Sequence, residues 1–500
     1  MTIAASSDNM SPTNAGGNMS PWLRAWVMLS IAAFVGYVAY ATVTSRAFYA
    51  DGSAFYLSIV TTPEAFNHFD DSKHIRLLVN IVNQLPVMLL SKWDDAPPAL
   101  LRMAFNFPLF AGNAILLGML WISARRHGTY LVWTYALISY ITTIIPSDIF
   151  PINQARLAQT IYWCLLFFAT VPGPMSKWEK FFVGLLIIVS FRSHEAIIIF
   201  GPLLSVAAYL GMRQSTHDRP WRQALLATGI GLLLFGIFWQ LSHPVGRETS
   251  GFLNNFKYWG NKEWWRSNLF LAWSGLVTLL VAVLISRVQS ETGRRAPRYL
   301  AFIYGLICVL NGLQPCITKS ALMPQSEFSF RVIIPFFGAM LVCAALVDMR
   351  KRLSASLSPH VVIGIAASAL LGQSLWQLAN TYRWNQFYTI TRTVITGSST
   401  PLISSEDVQQ AMPPRLARYL MNYQWGWTWP AFSMAVLDAH EVRTLVKPND
   451  HQELFYISRA APDLLHIPFG EVRSGRFDMS AVTSWCKPDS RAAFPDLCRD

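Results

Sequence analysis

The chain has 500 residues, of which 53% are hydrophobic and only 14% charged, a balance that a soluble globular protein rarely shows. Its net charge of +12 comes from Lys and Arg gathered in short loops between apolar blocks, which speaks for orientation in a membrane and against nucleic acid as a partner. The apolar residues collect in blocks of about 17–22, the length that a hydrocarbon layer ~30 Å thick asks of a crossing helix.

Taken in chain order, residues 1–20 are rich in Ser, Asn, Gly and Met and read as a disordered cytoplasmic N-terminus, with no cleavable signal peptide. A transmembrane domain over 21–384 follows, with about eleven predicted spans at 22–44, 100–123, 129–147, 157–172, 179–191, 196–212, 222–241, 268–286, 299–315, 332–348 and 360–379. A large first loop, 45–98, separates the first two. Its stretch 75–92 is apolar enough to cross, yet Lys73, Arg76, Asn80, Asn83 and Gln84 share one helical face, which suits a helix lying on the membrane with Pro86 near its end. The hairpin 179–212 has two short apolar arms that meet at a charged apex, Arg192-Ser193-His194-Glu195. Short connections carrying Arg125 and Arg126, Lys177 and Lys180, Arg213 with Arg219 and Arg222, Arg294 with Arg295 and Arg298, and Arg350 to Arg352 all fall on one side, which the positive-inside rule makes the cytoplasm. The loop 45–98 and the C-terminal region then lie outside, in the periplasm if the membrane is a bacterial inner (plasma) membrane.

Residues 385–500 mix polar loops with short apolar runs and read as a small α/β domain. Its Tyr423-Gln-Trp425-Gly-Trp427-Thr-Trp429-Pro430 stretch serves either as an interfacial anchor or packing element or as a platform for sugar rings. The predicted fold class is therefore an α-helical polytopic membrane protein with a small C-terminal α/β periplasmic domain. Cys164, Cys308, Cys316 and Cys343 sit in or beside apolar blocks without ligand spacing and read as packing residues. Cys486 and Cys498 lie in the polar tail, where an oxidising compartment would join them as a disulfide.

No Walker A loop, GxGxxG turn, zinc motif or Gly-x-Ser-x-Gly elbow is present. Four segments do carry chemistry. They are Arg46-Ala-Phe-Tyr-Ala-Asp51-Gly-Ser-Ala-Phe-Tyr56 after the first span, Asp70-Asp71-Ser-Lys73-His74-Ile-Arg76 in the same loop, the hairpin apex, and Glu327-Phe-Ser-Phe-Arg331-Val-Ile-Ile-Pro335 entering a late span. Together they resemble the GT-C superfamily of membrane glycosyltransferases, including lipid A aminoarabinose transferases and protein O-mannosyltransferases.

The resemblance covers about residues 20–380 and implies transfer of a sugar from a polyprenyl-phosphate-linked donor, held among membrane lipids, to a periplasmic lipid, polysaccharide or protein acceptor. It implies Asp51 as the catalytic base, and Lys73, His74, Arg76, Arg192, His194, Glu195 and Arg331 as substrate- and phosphate-binding residues. Such chemistry requires no cofactor and is compatible with a divalent ion, Mg or Mn. Many relatives follow the aspartate with a second acidic residue, whereas Gly52 stands here, which counts against a paired-carboxylate metal site.

Each residue also has a plainer reading. Asp51 can N-cap the helix that follows it, Lys73 and Arg76 can snorkel to headgroups, Arg331 can anchor a span, and His194 and Glu195 can satisfy each other. His74, His194, Asp70 and Glu195 show no metal-site spacing. Two other functions compete with the enzyme: a transporter or flippase of lipid-linked intermediates, and a non-catalytic subunit of an envelope polysaccharide assembly complex.

Overall fold

The computed structural model describes residues 19–61, 75–149, 151–152, 154–242, 291–317, 338–347, 359–417, 426–438, 441–447 and 477–484. Helix α1 (Pro21–Val43) begins where the Ser20 hydroxyl accepts the Leu23 N–H and Pro21 presets the first helical φ. It is followed by α2 (Gly52–Thr61), α3 (Leu77–Ser91) and α4 (Pro98–His127), the last closed by Gly128 at φ +64°, whose N–H meets the Ala124 and Arg125 carbonyls. Helix α5 (Leu131–Ser139) passes into a π turn, Tyr140–Ile144, and a 3-10 turn, Pro146–Ile149. Then come α6 (Ala155–Thr170), α7 (Lys177–Phe191), α8 (Ile197–Gln214), α9 (Arg219–Ser242), α10 (Glu291–Ile317), α11 (Gly338–Val347) and α12 (Pro359–Gly397).

Among the described residues five helices, α1, α4, α8, α9 and α12, are long and apolar enough to cross a membrane. The predicted spans 157–172 and 179–191 are the shorter α6 and α7, and 129–147 is the broken α5. The span 299–315 falls inside α10; 268–286 lies outside the described residues and 332–348 is described only over α11.

Exposure is inverted relative to a soluble protein. Met28, Leu29, Ile31 and Val35 of α1 and Phe107, Ile115 and Ile122 of α4 face outward, while Ser30, Asn106 and Asn113 are buried. A lipid solvent accepts the apolar side chains, and polar groups seek partners inside. The polar stripe on α3 follows the same rule: Asn80, Asn83 and Gln84 point inward, and Val82, Leu85 and Leu89 point out. At the centre, all sixteen residues of α6 are buried.

Side-chain contacts fix the direction of each helix. Trp26 donates to Ser368 and Trp384 to the Thr44 carbonyl, so α1 and α12 run parallel. Helices α8 and α9 run antiparallel and approach closely, since a Cβ on Gly201 would lie 2.6 Å from the Gly229 carbonyl. Glu179 at the start of α7 meets Arg126 at the end of α4, while Arg192 just past the end of α7 accepts the Leu78 N–H with its carbonyl. The beginning of α3 and the end of α4 therefore lie at opposite ends of α7. With its 30 residues α4 is about 45 Å long, and its beginning packs beside the end of α1, where Asn106 accepts the Ala47 N–H. Only residues 92–97 join α3 to α4, so α3 finishes where α4 begins.

The C-terminal residues join this end. Helix α13 (Trp429–Ala435) packs on α2, and Phe432 meets Trp384 and stacks on Phe387 of α12. Strand β1 (Leu402–Ile403) pairs in parallel with β2 (Leu445–Val446). These apolar residues share one core with α2, α3 and α4, and α12 continues past the predicted boundary at 384 because Trp384, Phe387 and Tyr388 are packed into it.

Candidate functional site

Charged side chains gather in two clusters, one in the turn where α1 passes into α2 and one where α3 begins beside the end of α7. The link from α1 to α2 holds two non-glycine residues in the left-handed region, Ser45 at φ +53° and Ala50 at φ +56°, a conformation that costs about 1–2 kcal/mol per residue. They bracket a 3-10 turn, Arg46–Phe48, whose Ala47 N–H is met by Asn106 of α4 at 2.8 Å. That turn sends Arg46 inward, where it is 4% exposed. Its Nη1 donates to the Thr381 hydroxyl at 2.7 Å and its Nη2 to Gln377 Oε1 at 2.7 Å, both on α12, and the guanidinium lies 5.9 Å from the centre of the Tyr37 ring.

Beneath Arg46 the break in α5 brings in a second charged group. Tyr37 donates to Asp148 Oδ2 at 2.6 Å, and Asp148 forms an ion pair with Arg156 at the start of α6. Interrupting α5 strands backbone carbonyls in a dry interior, and these find donors. Gln377 Nε2 donates to the Ile145 carbonyl at 2.7 Å and Arg156 Nη1 to the Pro151 carbonyl at 2.8 Å. Asp148 and Arg156 are almost wholly buried, so neither charge is tolerable without the other.

The hairpin apex forms a shallower cluster. Arg76, just before α3, donates through Nε to both oxygens of Glu195 at 2.8 and 3.0 Å, and His194 Nε2 lies 3.3 Å from Glu195 Oε2. Arg192 stacks over Trp239 with 4.8 Å from guanidinium to ring centre, and Tyr162 meets the Ser193 hydroxyl at 3.1 Å. Burial pushes the Glu195 carboxyl up, but the Arg76 charge, then His194, outweigh it and hold the group well below the ordinary carboxylate range. Glu195 is thus a fixed negative charge between two nitrogen bases.

Arg76, Arg192, His194 and Glu195, predicted from separate stretches, are brought together here. Asp51 is half-buried at the N-cap position of α2, its carbonyl accepting the Phe55 N–H at 3.0 Å. Gly52 has a steric cause: a Cβ there would stand 1.6 Å from the Ala47 carbonyl oxygen, so no larger residue fits behind Asp51. Lys73, His74 and Arg331, with Cys486 and Cys498, lie outside the described residues. Among the described residues no group of three or more His, Cys, Asp or Glu is placed to hold a metal ion.

Sequence reasoning gave no role to Tyr37, Arg46, Asp148, Arg156 or Gln377. Asp148 and Arg156 fall between two predicted spans, with Pro146 and Pro151 beside them as the local sign of an ordered break.

A third contact secures the C-terminal residues above the site. Arg102 of α4 donates to the Leu437 carbonyl at 2.7 Å and pairs with Asp438, which also pairs with Arg392 of α12. Burial raises the Asp438 carboxyl, but the hydrogen bond and charge of Arg102, together with Arg392, hold it below its usual value. The opposite end has its own network, with His127 3.1 Å from Glu179, Lys180 2.7 Å from Asp218, and Arg222 donating to the carbonyls of Val171, Gly211 and Ser215. No family model, curated protein or solved structure matches this chain.

Proposed function

We propose that this chain is a GT-C-type glycosyltransferase of a bacterial inner membrane, moving a sugar from a polyprenyl-phosphate donor to a periplasmic lipid, polysaccharide or protein. The C-terminal region and the Asp51 end of the bundle face the periplasm in this reading, and the Arg125–Arg126 end faces the cytoplasm. The observation that carries it is an apolar-surfaced bundle that holds Arg46 and Asp51 in the turn after α1 and joins Arg76, His194 and Glu195 where α3 begins. A lipid-linked phosphate calls for cations at its headgroup and apolar walls along its prenyl chain.

In the transfer step the acceptor hydroxyl oxygen attacks the anomeric carbon, its proton passes to the Asp51 carboxylate, and the lipid phosphate leaves with the bonding electrons. Cations stabilise the charge growing on that phosphate, more strongly where water is excluded. Glu195 acts by fixing the orientation of Arg76, and Lys73 and Arg331 are further phosphate ligands in this scheme. The test is transfer by the purified full chain from a polyprenyl-phosphate sugar. Asp51→Asn keeps size and capping ability and should lower the rate ~10²–10⁴-fold while folding is retained. Near wild-type turnover by that variant would remove Asp51 as the base.

A second reading, a flippase for lipid-linked intermediates, is favoured by the interrupted α5 with its buried Asp148–Arg156 pair, because broken helices and intramembrane charges recur in transporters. Lipid flipping in proteoliposomes without sugar transfer would support it.

A further inference from the structure

Helix α12 carries a second polar face beside the one that holds Arg46. Asn380 is 1% exposed, and neither its amide oxygen nor its amide nitrogen has a hydrogen-bond partner among the described residues. One turn earlier the buried indole Nε1 of Trp376 has none either. At 3.6 residues per turn, Trp376 and Asn380 stack on one strip of the helix, next to the strip of Gln377 and Thr381. A folded chain rarely keeps three such atoms unmet in a dry interior unless something polar meets them.

The chemistry of the three atoms says what that is. All are uncharged, so a bare phosphate or a metal ion, which want cations or carboxylates, is a poor match. The Asn380 amide offers donors and an acceptor, the Trp376 indole offers one donor, and together they match the alternating donor and acceptor pattern of sugar hydroxyls. The indole also presents a broad apolar face of the kind that covers the C–H side of a sugar ring. Arg46, bound by the adjoining strip, places a positive guanidinium beside this neutral patch, an order of charge that fits a sugar attached to a phosphate. We propose that Trp376 and Asn380 form the subsite for the donor sugar's hydroxyls. The assignment rests on the reading of a lipid-linked sugar donor given above.

The experiment compares farnesyl phosphate with farnesyl phosphate esterified to glucose, mannose or arabinose, titrated into the full-length protein in lipid nanodiscs. In the wild type at least one sugar ester should bind about tenfold more tightly than farnesyl phosphate. Asn380→Leu removes both amide atoms at similar volume, and Trp376→Phe removes the N–H while keeping a ring. Each should abolish most of that increment and leave farnesyl phosphate binding within about twofold. Thermal denaturation checks that the variants are folded, and Trp376→Phe decides the matter if Asn380→Leu does not fold.

The proposal is overturned if no sugar ester shows an increment in the wild type, or if the increment survives in the folded variants. An Asn380→Leu protein that is more stable and keeps its increment assigns the face to ordered water and also overturns it. Wild-type transfer with an increment that survives in the variants refutes this subsite and leaves the enzyme standing. A sugar increment that the variants abolish, in a protein that transfers nothing, leaves the subsite standing and removes the enzyme.

Discussion

Replacing Glu195 by Gln tests whether the hairpin apex is an electrostatic fixture. The single Arg76 Nε–H is shared between the two carboxylate oxygens, at 2.8 and 3.0 Å, with His194 at 3.3 Å, and the two side chains of the Arg76–Glu195 pair are about one-fifth exposed. Fully exposed ion pairs contribute about 0–1 kcal/mol, and stripping one partner from a fully buried pair costs about 3–5 kcal/mol. An intermediate burial, discounted for the water that reaches the pair, places the loss at about 1–3 kcal/mol. Gln keeps the shape and one acceptor oxygen but not the charge, so the apparent Tm in detergent should fall by a few degrees.

The pH dependence has a definite sign. The folded-state carboxyl is held below its ordinary range by Arg76 and then His194, against the opposing effect of burial. Its stabilisation is therefore complete above the unfolded value of about 4.3 and is lost as pH falls below it. The gap between wild type and Glu195→Gln should be full at pH 7 and shrink below about pH 4. A gap unchanged between pH 7 and pH 3 would refute the reasoning, as would a double-mutant cycle with Arg76→Gln that gives a coupling under about 0.3 kcal/mol.

Gly52→Ala forces a methyl group against the Ala47 carbonyl at 1.6 Å and should cost about 1–3 kcal/mol or more by overpacking; a wild-type melting temperature would refute that contact. Reporter fusions after residues 126, 214, 293 and 352 should read cytoplasmic and those after 70, 250 and 400 periplasmic, and the same side for 70 and 126 would overturn the orientation of the first loop. Cys486 and Cys498 should appear as one disulfide in non-reduced peptide mass spectra, with a stabilisation of roughly 2–4 kcal/mol, and two free thiols in membrane-extracted protein would refute the pairing.

The helical, membrane-embedded character of the chain is written in its one-dimensional pattern. Long apolar blocks have one low-energy form in lipid, a helix that satisfies its own backbone, so α1, α4, α8, α9 and α12 were legible without neighbours. The polar stripe of α3 and the charged apex at 192–195 were legible too, because a charge or amide inside an apolar run is conspicuous wherever it occurs. Their orientation and partners were not. Asn80, Asn83 and Gln84 turn inward because α3 folds back beside α4, and Arg76 meets Glu195 across 119 positions of sequence. The grouping of Tyr37, Arg46, Asp148, Arg156 and Gln377 comes from helices packed side by side, and no local pattern encodes it. Side-chain type and spacing determine which segments enter the membrane, since that depends on transfer of each segment from water. Which charges share one buried site is decided by tertiary packing, since a charge is stable in a dry interior only beside a partner that the fold delivers.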